Sequence, residues 1–341
     1  MMETTLSSAV GPSYLLPPIE AVNDPPEAIA EKQRQIRALC VERNAVVLAH
    51  NYQRPEVQEV ADAVADSLRL AQTAARTDAE VIVLCGVHFM AETAAILCPQ
   101  KTVLLPDLRA GCSLAASITA DELRRWKAKL PDAVVVAYIN TSAEVKAESD
   151  YCCTSANAAK VVEAIDRRRP ILFVPDKFLA TVVARLTRRS NIIAYPGSCH
   201  VHVGIRPEHV AEIFERYEEI ELLLHPECGC VSSCMAKTLD GTLPQERTFF
   251  LSTEGMMRHV AASPAAQFAV GTELGILHRL RKEHPEREFF PINPNAVCAF
   301  MKTITLDRII ESLKTLSPRV RVREEIARRA RRAIDRMLEL A

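Results

Sequence analysis

The sequence predicts an α/β protein made of three pseudo-three-fold-related αβα units, each with a small parallel sheet, around a central axis. Two observations carry that prediction. A short apolar strand runs into a Pro- or Gly-bearing turn and then a cysteine three times, at near-equal spacing: 101–105 before Cys112, 192–195 before Cys199, and 288–290 before Cys298. The segments between the cysteines match as well, and agreement at successive landmarks marks an internal repeat.

Each copy opens with an apolar strand that ends in polar residues. These are Ala-Val-Val-Leu-Ala-His50-Asn-Tyr52, Ala-Val-Val-Val-Ala-Tyr138-Ile-Asn140 and Ile-Glu-Leu-Leu-Leu-His225-Pro-Glu227. A hydroxyl residue then opens a helical pattern: Ser67, Ser155, and Thr253 after Ser252. Next comes a second strand-to-helix turn, 81–85 into Gly86-Val-His, 171–174 into Pro175-Asp-Lys, and 267–270 into Gly271-Thr-Glu. The cysteine strand closes the copy. A longer interval between Glu227 and Thr253 predicts an insertion of about one loop in the third copy, and Cys228, Cys230 and Cys234 fall on it.

In chain order, residues 1–26 hold five prolines and little periodicity, which predicts a loose arm. Pro26 suits the first turn of a helix over 27–43. The first unit spans 27–112, the second 113–199 and the third 200–304. A helix over 114–130, including Trp126, crosses to the second unit, and one over 207–217 crosses to the third. Beyond 305 two helices, separated at Pro318, pack outside the first unit. The basic runs at 167–169, 188–189 and 328–332 read as solvated helix faces.

Composition narrows the function classes. With 341 residues, 48% of them hydrophobic, the chain can bury a substantial core. A net charge of −1 gives no basic field for nucleic acid. No apolar run reaches the roughly 18–20 residues of a membrane span. The N-terminus shows no basic region followed by an apolar core, so no secretory leader is expected. Eleven cysteines in such a chain point to a reducing, cytoplasmic compartment and to metal binding or catalysis, not disulfides. The oligomeric state is not legible.

Parallel sheets present their functional loops at the carboxyl ends of the strands. Three equivalent loops around an axis bring Cys112, Cys199 and Cys298 to one point, ringed by His50, Tyr52, Tyr138, Asn140, His225 and Glu227. Three converging thiolates ask for a soft metal. A [4Fe–4S] cluster with one iron free of protein ligands, or zinc with a water, both meet the spacing. Ser67, Ser155 and Thr253 offer hydroxyls and free N–H groups to an anion, or act as helix caps. Cys40, Cys85, Cys98, Cys152 and Cys153 read as core.

Several pieces carry a resemblance: Ala49-His-Asn-Tyr-Gln, Asp107-Leu-Arg-Ala-Gly-Cys-Ser-Leu-Ala, Tyr138-Ile-Asn-Thr, Thr154-Ser-Ala-Asn-Ala, Gly197-Ser-Cys-His-Val-His, His225-Pro-Glu-Cys, Ser252-Thr-Glu-Gly-Met and Met301-Lys-Thr-Ile-Thr-Leu. In that order and spacing the chain resembles the quinolinate synthase family over nearly its whole length beyond the arm. The resemblance implies a transferase of the de novo route to NAD that condenses iminosuccinate (iminoaspartate) with dihydroxyacetone phosphate to give quinolinate, phosphate and water. It also implies three αβα domains around one [4Fe–4S] cluster, with Cys112, Cys199 and Cys298 as ligands and the open iron as a Lewis acid. Coupling to an L-aspartate oxidase is a further implication. Some members place the last ligand in a Cys-x-x-Cys-x-x-Cys run; here only Cys298 remains, so thiol–disulfide regulation at that run is not expected.

The implied chemistry distributes roles. Glu227, beside His225, is the choice for general base, with Tyr52 and His50 assisting on the triose phosphate. Tyr138 and Asn140 orient the iminosuccinate end. Ser67, Ser155, Ser252 and Thr253 bind anionic groups. His200 touches substrate or tunes the cluster, and His202 faces the scaffold. An iron–sulfur redox sensor and another cluster-dependent hydro-lyase are the alternatives; the sensor lacks any basic partner-binding element in this sequence.

Overall fold

The structure is a computed structural model that describes residues 16–217 and 219–340. Its first unit runs α1 (Pro26–Arg43), β1 (Ala45–His50), α2 (Pro55–Val60), β2 (Ala63–Ala65), α3 (Ser67–Arg76), β3 (Val81–Cys85), α4 (His88–Leu97) and β4 (Thr102–Leu104). The second runs α5 (Ala120–Lys129), β5 (Val134–Tyr138), α6 (Ala143–Ala147), β6 (Tyr151–Cys153), α7 (Ala158–Glu163), β7 (Ile171–Val174), α8 (Lys177–Leu186) and β8 (Ile192–Ala194). The third runs α9 (Pro207–Arg216), β9 (Glu221–Leu224), α10 (Val231–Leu239), β10 (Thr248–Phe250), α11 (Thr253–Ala262), β11 (Gln267–Gly271), α12 (Ile276–Glu283) and β12 (Glu288–Pro291). Two helices follow, α13 (Leu306–Thr315) and α14 (Glu324–Glu339).

The three sheets share one topology: β2-β1-β3-β4, β6-β5-β7-β8 and β10-β9-β11-β12, every pairing parallel. This is the repeat expected from the landmarks. The two inner strands of the first two units are runs such as Val-Ile-Val-Leu-Cys and Val-Val-Val-Ala-Tyr, buried along almost their full length. Covered by helices on both faces, such strands need apolar residues at every position, not at alternate ones. Three short edge strands, β2, β6 and β10, escape sequence reading because three residues carry no periodicity.

Several expectations change. The helix expected over 114–130 is a 3₁₀ turn (Ala115–Ser117), an extended Ile118–Thr119 step, and then α5. Thr119 and Glu122 close a reciprocal capping box that starts a new helix there. The third-copy insertion is helical: Cys234 lies on α10 and Cys230 just precedes it. Arg189 is buried, not solvated. It donates to the carbonyls of Val162, in the last turn of α7, and of Ile165, Asp166 and Arg169 in the segment that follows, and so satisfies carbonyls that the helix leaves unpaired.

Residues 16–25 carry no regular element, but Glu20 is held by Arg109 at 3.1 Å and Arg308 at 2.7 Å; the part of the expected arm before residue 16 lies outside the described residues. Pro26 sits in the first turn of α1, and Asn44 ends that helix in a left-handed conformation (φ 48°). In the tail, α13 lies on α1. The last helix also covers the second unit: α14 packs on α6 and β6 as well as α4, and Asn157 donates to the Met337 carbonyl at 3.0 Å. Among the described residues no helix is long and apolar enough to cross a membrane.

Candidate active site

The carboxyl ends of all three sheets face one cavity. It is lined by Cys112, Cys199 and Cys298, by His50, Tyr52, Tyr138, Asn140, His200, His225 and Glu227, and by Ser67, Ser155 and Thr253. Of the predicted site residues only Ser252 is missing from the lining. It is buried at the start of α11, where its Oγ accepts the Gly255 N–H at 3.2 Å. Capping of α3 likewise falls to Asp66, which accepts the Arg69 N–H at 2.9 Å. Ser67 and Thr253 are therefore first helical residues with hydroxyls not used for capping. Ser155 lies in a turn before α7 and not on the helix itself.

The three cysteines have one local geometry. Each precedes a 3₁₀ turn: Ala115–Ser117, His202–Gly204 and Met301–Thr303. The N–H groups of Ala116, Val203 and Lys302 donate to the carbonyls of Cys112, Cys199 and Cys298 at 3.0, 2.9 and 3.2 Å. One residue earlier the N–H aims at sulfur, with Ala115 3.4 Å from Cys112 Sγ and His202 and Met301 serving Cys199 and Cys298. Burial pushes the Cys112 thiol up to about 11 and the Cys298 thiol to about 12, and it raises the Cys199 thiol as well. Proximity of Cys112 and Cys298 adds to the rise at Cys199. Thiols in this setting stay protonated until a metal displaces the protons. Three soft donors, each with an N–H to stabilise thiolate charge, fit a three-cysteine iron–sulfur group. A mixed set also converges: ligand atoms of Cys199, His202 and Glu227 lie within 4.8 Å of one another.

Glu227 is buried and receives a hydrogen bond from the Tyr138 hydroxyl. His202 Nε2 and His225 Nδ1 each lie 3.8 Å from its carboxyl oxygens. Burial raises its pKa to about 8, and the charge of Asp176 adds to the rise. Burial also lowers His50 and His202 to about 3, with nearby Lys302 contributing at His50, and lowers His225 as well. The imidazoles are therefore neutral near pH 7 and act through hydrogen bonds, not charge. Ser155 Oγ lies 3.3 Å from His225 Nε2. His200 Nδ1 pairs with Ser113 at 2.7 Å, and its buried Nε2 has no partner among the described residues, a free polar atom on the cavity lining.

His202 and Glu273 are among the cavity residues that escape the sequence reading. His202 does not face the scaffold: the 3₁₀ turn that begins there rotates its ring inward, 4.8 Å from His225. Glu273 also lines the cavity, accepting from Cys298 N–H at 3.1 Å and pairing with Lys302 at 2.9 Å. The available signal was the repeat itself, which places Glu273 at the same strand-to-helix turn as Asp176.

A family model described as NadA, quinolinate synthetase A protein, matches residues 34–339, through all three units. The chain belongs to the quinolinate synthetase A family. Among curated relatives, the quinolinate synthase of Thermus thermophilus is 57% identical over 312 residues, covering 92% of this chain and 97% of its own. The quinolinate synthase of Pyrobaculum aerophilum is 50% identical over 309 residues, covering 91% and 99%. That of a Mycobacterium species is 50% identical over 306 residues, covering 90% and 91%. Quinolinate synthetase A membership thus covers every element that lines the cavity.

Proposed function

We propose that this protein condenses iminosuccinate with dihydroxyacetone phosphate to give quinolinate, phosphate and water, supporting de novo NAD biosynthesis in the cytoplasm. An L-aspartate oxidase is the source of iminosuccinate in this reading. The observation that carries it is the convergence of three equivalent thiols and a buried Tyr138–Glu227 pair on one cavity. Cys112, Cys199 and Cys298 would hold a [4Fe–4S] cluster, which when bound supplies an iron without a protein ligand as a Lewis acid.

The chain's own groups divide the remaining work. The substrates carry two carboxylates and a phosphate, and hydroxyls of Ser67, Ser155 and Thr253 donate to these oxyanions. Tyr138 and Asn140, at the end of β5, orient the dicarboxylate. His50 and Tyr52, at the end of β1, engage the triose phosphate, and His200 offers its free Nε2 to substrate. His225, held beside Ser155 and Glu227, completes the proton-transfer surface. Glu227 takes and returns protons during condensation and ring closure, a task favoured by a pKa near the working pH.

The direct test supplies anaerobically reconstituted protein with iminosuccinate and dihydroxyacetone phosphate and follows quinolinate by chromatography. Quinolinate at a rate proportional to enzyme is expected; none from protein with full iron and sulfide overturns the reading. The mixed Cys199–His202–Glu227 set favours a mononuclear metal instead, and metal analysis of the same sample separates the two. Ser155→Ala removes one donor to an anion, a bond worth roughly 1.5–3 kcal/mol. It is expected to raise KM about ten-fold or more while kcat stays within a few-fold; equal losses in both would assign Ser155 to the chemical step.

Cys228, Cys230 and Cys234 sit in the core behind the cavity, where Cys228 Sγ donates to the Gly271 carbonyl at 3.1 Å. The triple Ser variant is expected to melt lower, because hydroxyls replace buried thiols, yet to keep full iron and sulfide. Loss of iron from a folded triple variant would mean that the ligands are assigned to the wrong cysteines.

A further inference from the structure

Thr253 lines the cavity, and its hydroxyl is set by groups that lie behind it. On α12, Arg279 donates Nη1 to Asn51 Oδ1 at 3.0 Å and to Glu254 Oε1 at 2.6 Å. Its Nε is held by Glu283 at 2.7 Å. A guanidinium has donors and no acceptor, so the face of the Asn51 amide turned toward it must be the oxygen. The amide nitrogen then faces the other way, donating to Thr253 Oγ1 at 2.9 Å and to Glu254 Oε1 at 3.2 Å.

A hydroxyl carries one hydrogen. With its oxygen accepting from Asn51, the Thr253 hydroxyl can satisfy its hydrogen only by donating, and no acceptor takes it among the described residues. Asn51 is fully buried and follows β1 of the first unit, whereas Thr253 and Arg279 belong to the third. The donor is therefore armed across the contact between two units.

We infer that Asn51 and Arg279 are positioning residues that make the Thr253 hydroxyl an obligate donor to an oxyanion of the bound substrate. This rests on the reading of Thr253 as a ligand-binding group. Neither residue touches the substrate; Arg279 acts through Asn51, and Asn51 through Thr253. Asn51→Asp keeps the shape and the Arg279 pairing but presents an acceptor to Thr253, which draws the hydroxyl hydrogen away from the cavity. Arg279→Met removes the group that fixes the amide and adds no charge beside the ligand.

The test is calorimetric titration of the anaerobic holoenzyme with two probes, quinolinate and inorganic phosphate, together with steady-state kinetics. Asn51→Asp and Arg279→Met are each expected to weaken at least one probe about ten-fold and to raise KM with kcat within a few-fold. The probe that weakens identifies the oxyanion as carboxylate or phosphate. In a Thr253→Val background Arg279→Met is not expected to weaken binding further, whereas Asn51→Asp keeps only the part of its loss that comes from the added charge. Melting curves report folding, and Arg279→Met keeps the test decisive if Asn51→Asp does not fold. A loss from Arg279→Met that persists undiminished in Thr253→Val overturns the inference. If Thr253→Val weakens binding but both single variants match the parent, only the positioning role fails. If Thr253→Val binds both probes normally, the ligand role of Thr253 fails and the positioning role with it.

Discussion

Cys199→Ser is expected to leave the anaerobically prepared protein without iron, sulfide or quinolinate formation, and Cys112→Ser and Cys298→Ser are expected to do the same. The physical reason is that a serine hydroxyl stays protonated where a thiol can ionise, so it offers the cluster no comparable soft donor. With three protein ligands, losing one leaves two, and the backbone N–H groups at each turn have no thiolate to stabilise. Cys98→Ser is the control. Its thiol, at the end of α4 and not on the cavity lining, donates to the Ala74 carbonyl at 3.2 Å, and a hydroxyl makes the same bond. Iron and sulfide analysis with the visible absorption spectrum checks the result. Full iron, sulfide and activity in any of the three variants would sink the three-cysteine assignment, and equal loss in Cys98→Ser would show general instability instead. Oxygen exposure of the parent should also inactivate it, since a cluster with one unprotected iron is labile.

Glu227→Gln is expected to lower turnover by about 10²–10⁴-fold, the usual scale for a lost general base. The amide keeps the size of the side chain and still accepts the Tyr138 hydrogen bond, so the cavity should retain its shape. Quinolinate affinity should therefore change little and the iron content not at all. The pH profile gives an independent check. Burial raises the folded pKa of Glu227 to about 8, so the basic carboxylate is the minor form below that pH and grows as pH rises. A base must be deprotonated, hence kcat of the parent climbs with pH toward that value, and the climb is absent in Glu227→Gln. If Glu227→Gln turns over within a few-fold of the parent, the carboxylate is structural and Tyr52 becomes the better candidate. A parent rate that falls as pH rises through the same range would assign Glu227 to the acid role.

The order of the chain already determined the three-fold plan, because period and landmark agreement are local properties of the sequence. Apolar runs with β-branched residues, each ending in a polar pair, placed His50, Tyr52, Tyr138, Asn140, His225 and Glu227 at strand ends. The parallel architecture then sends all strand ends to one side. The equivalent positions of Cys112, Cys199 and Cys298 followed in the same way. Tertiary structure alone decided which way side chains turn once the strand has ended. His202 faces the cavity because a 3₁₀ turn begins there, and Ser252, not Thr253, spends its hydroxyl on the helix end. Arg189 is buried because carbonyls of one stretch, Val162 to Arg169, some twenty residues before it in the second unit, surround it. The protonation states are of the same kind. Neutral histidines and a carboxyl raised toward neutrality arise from desolvation by residues distant in sequence, and desolvation does not exist until those residues are packed together.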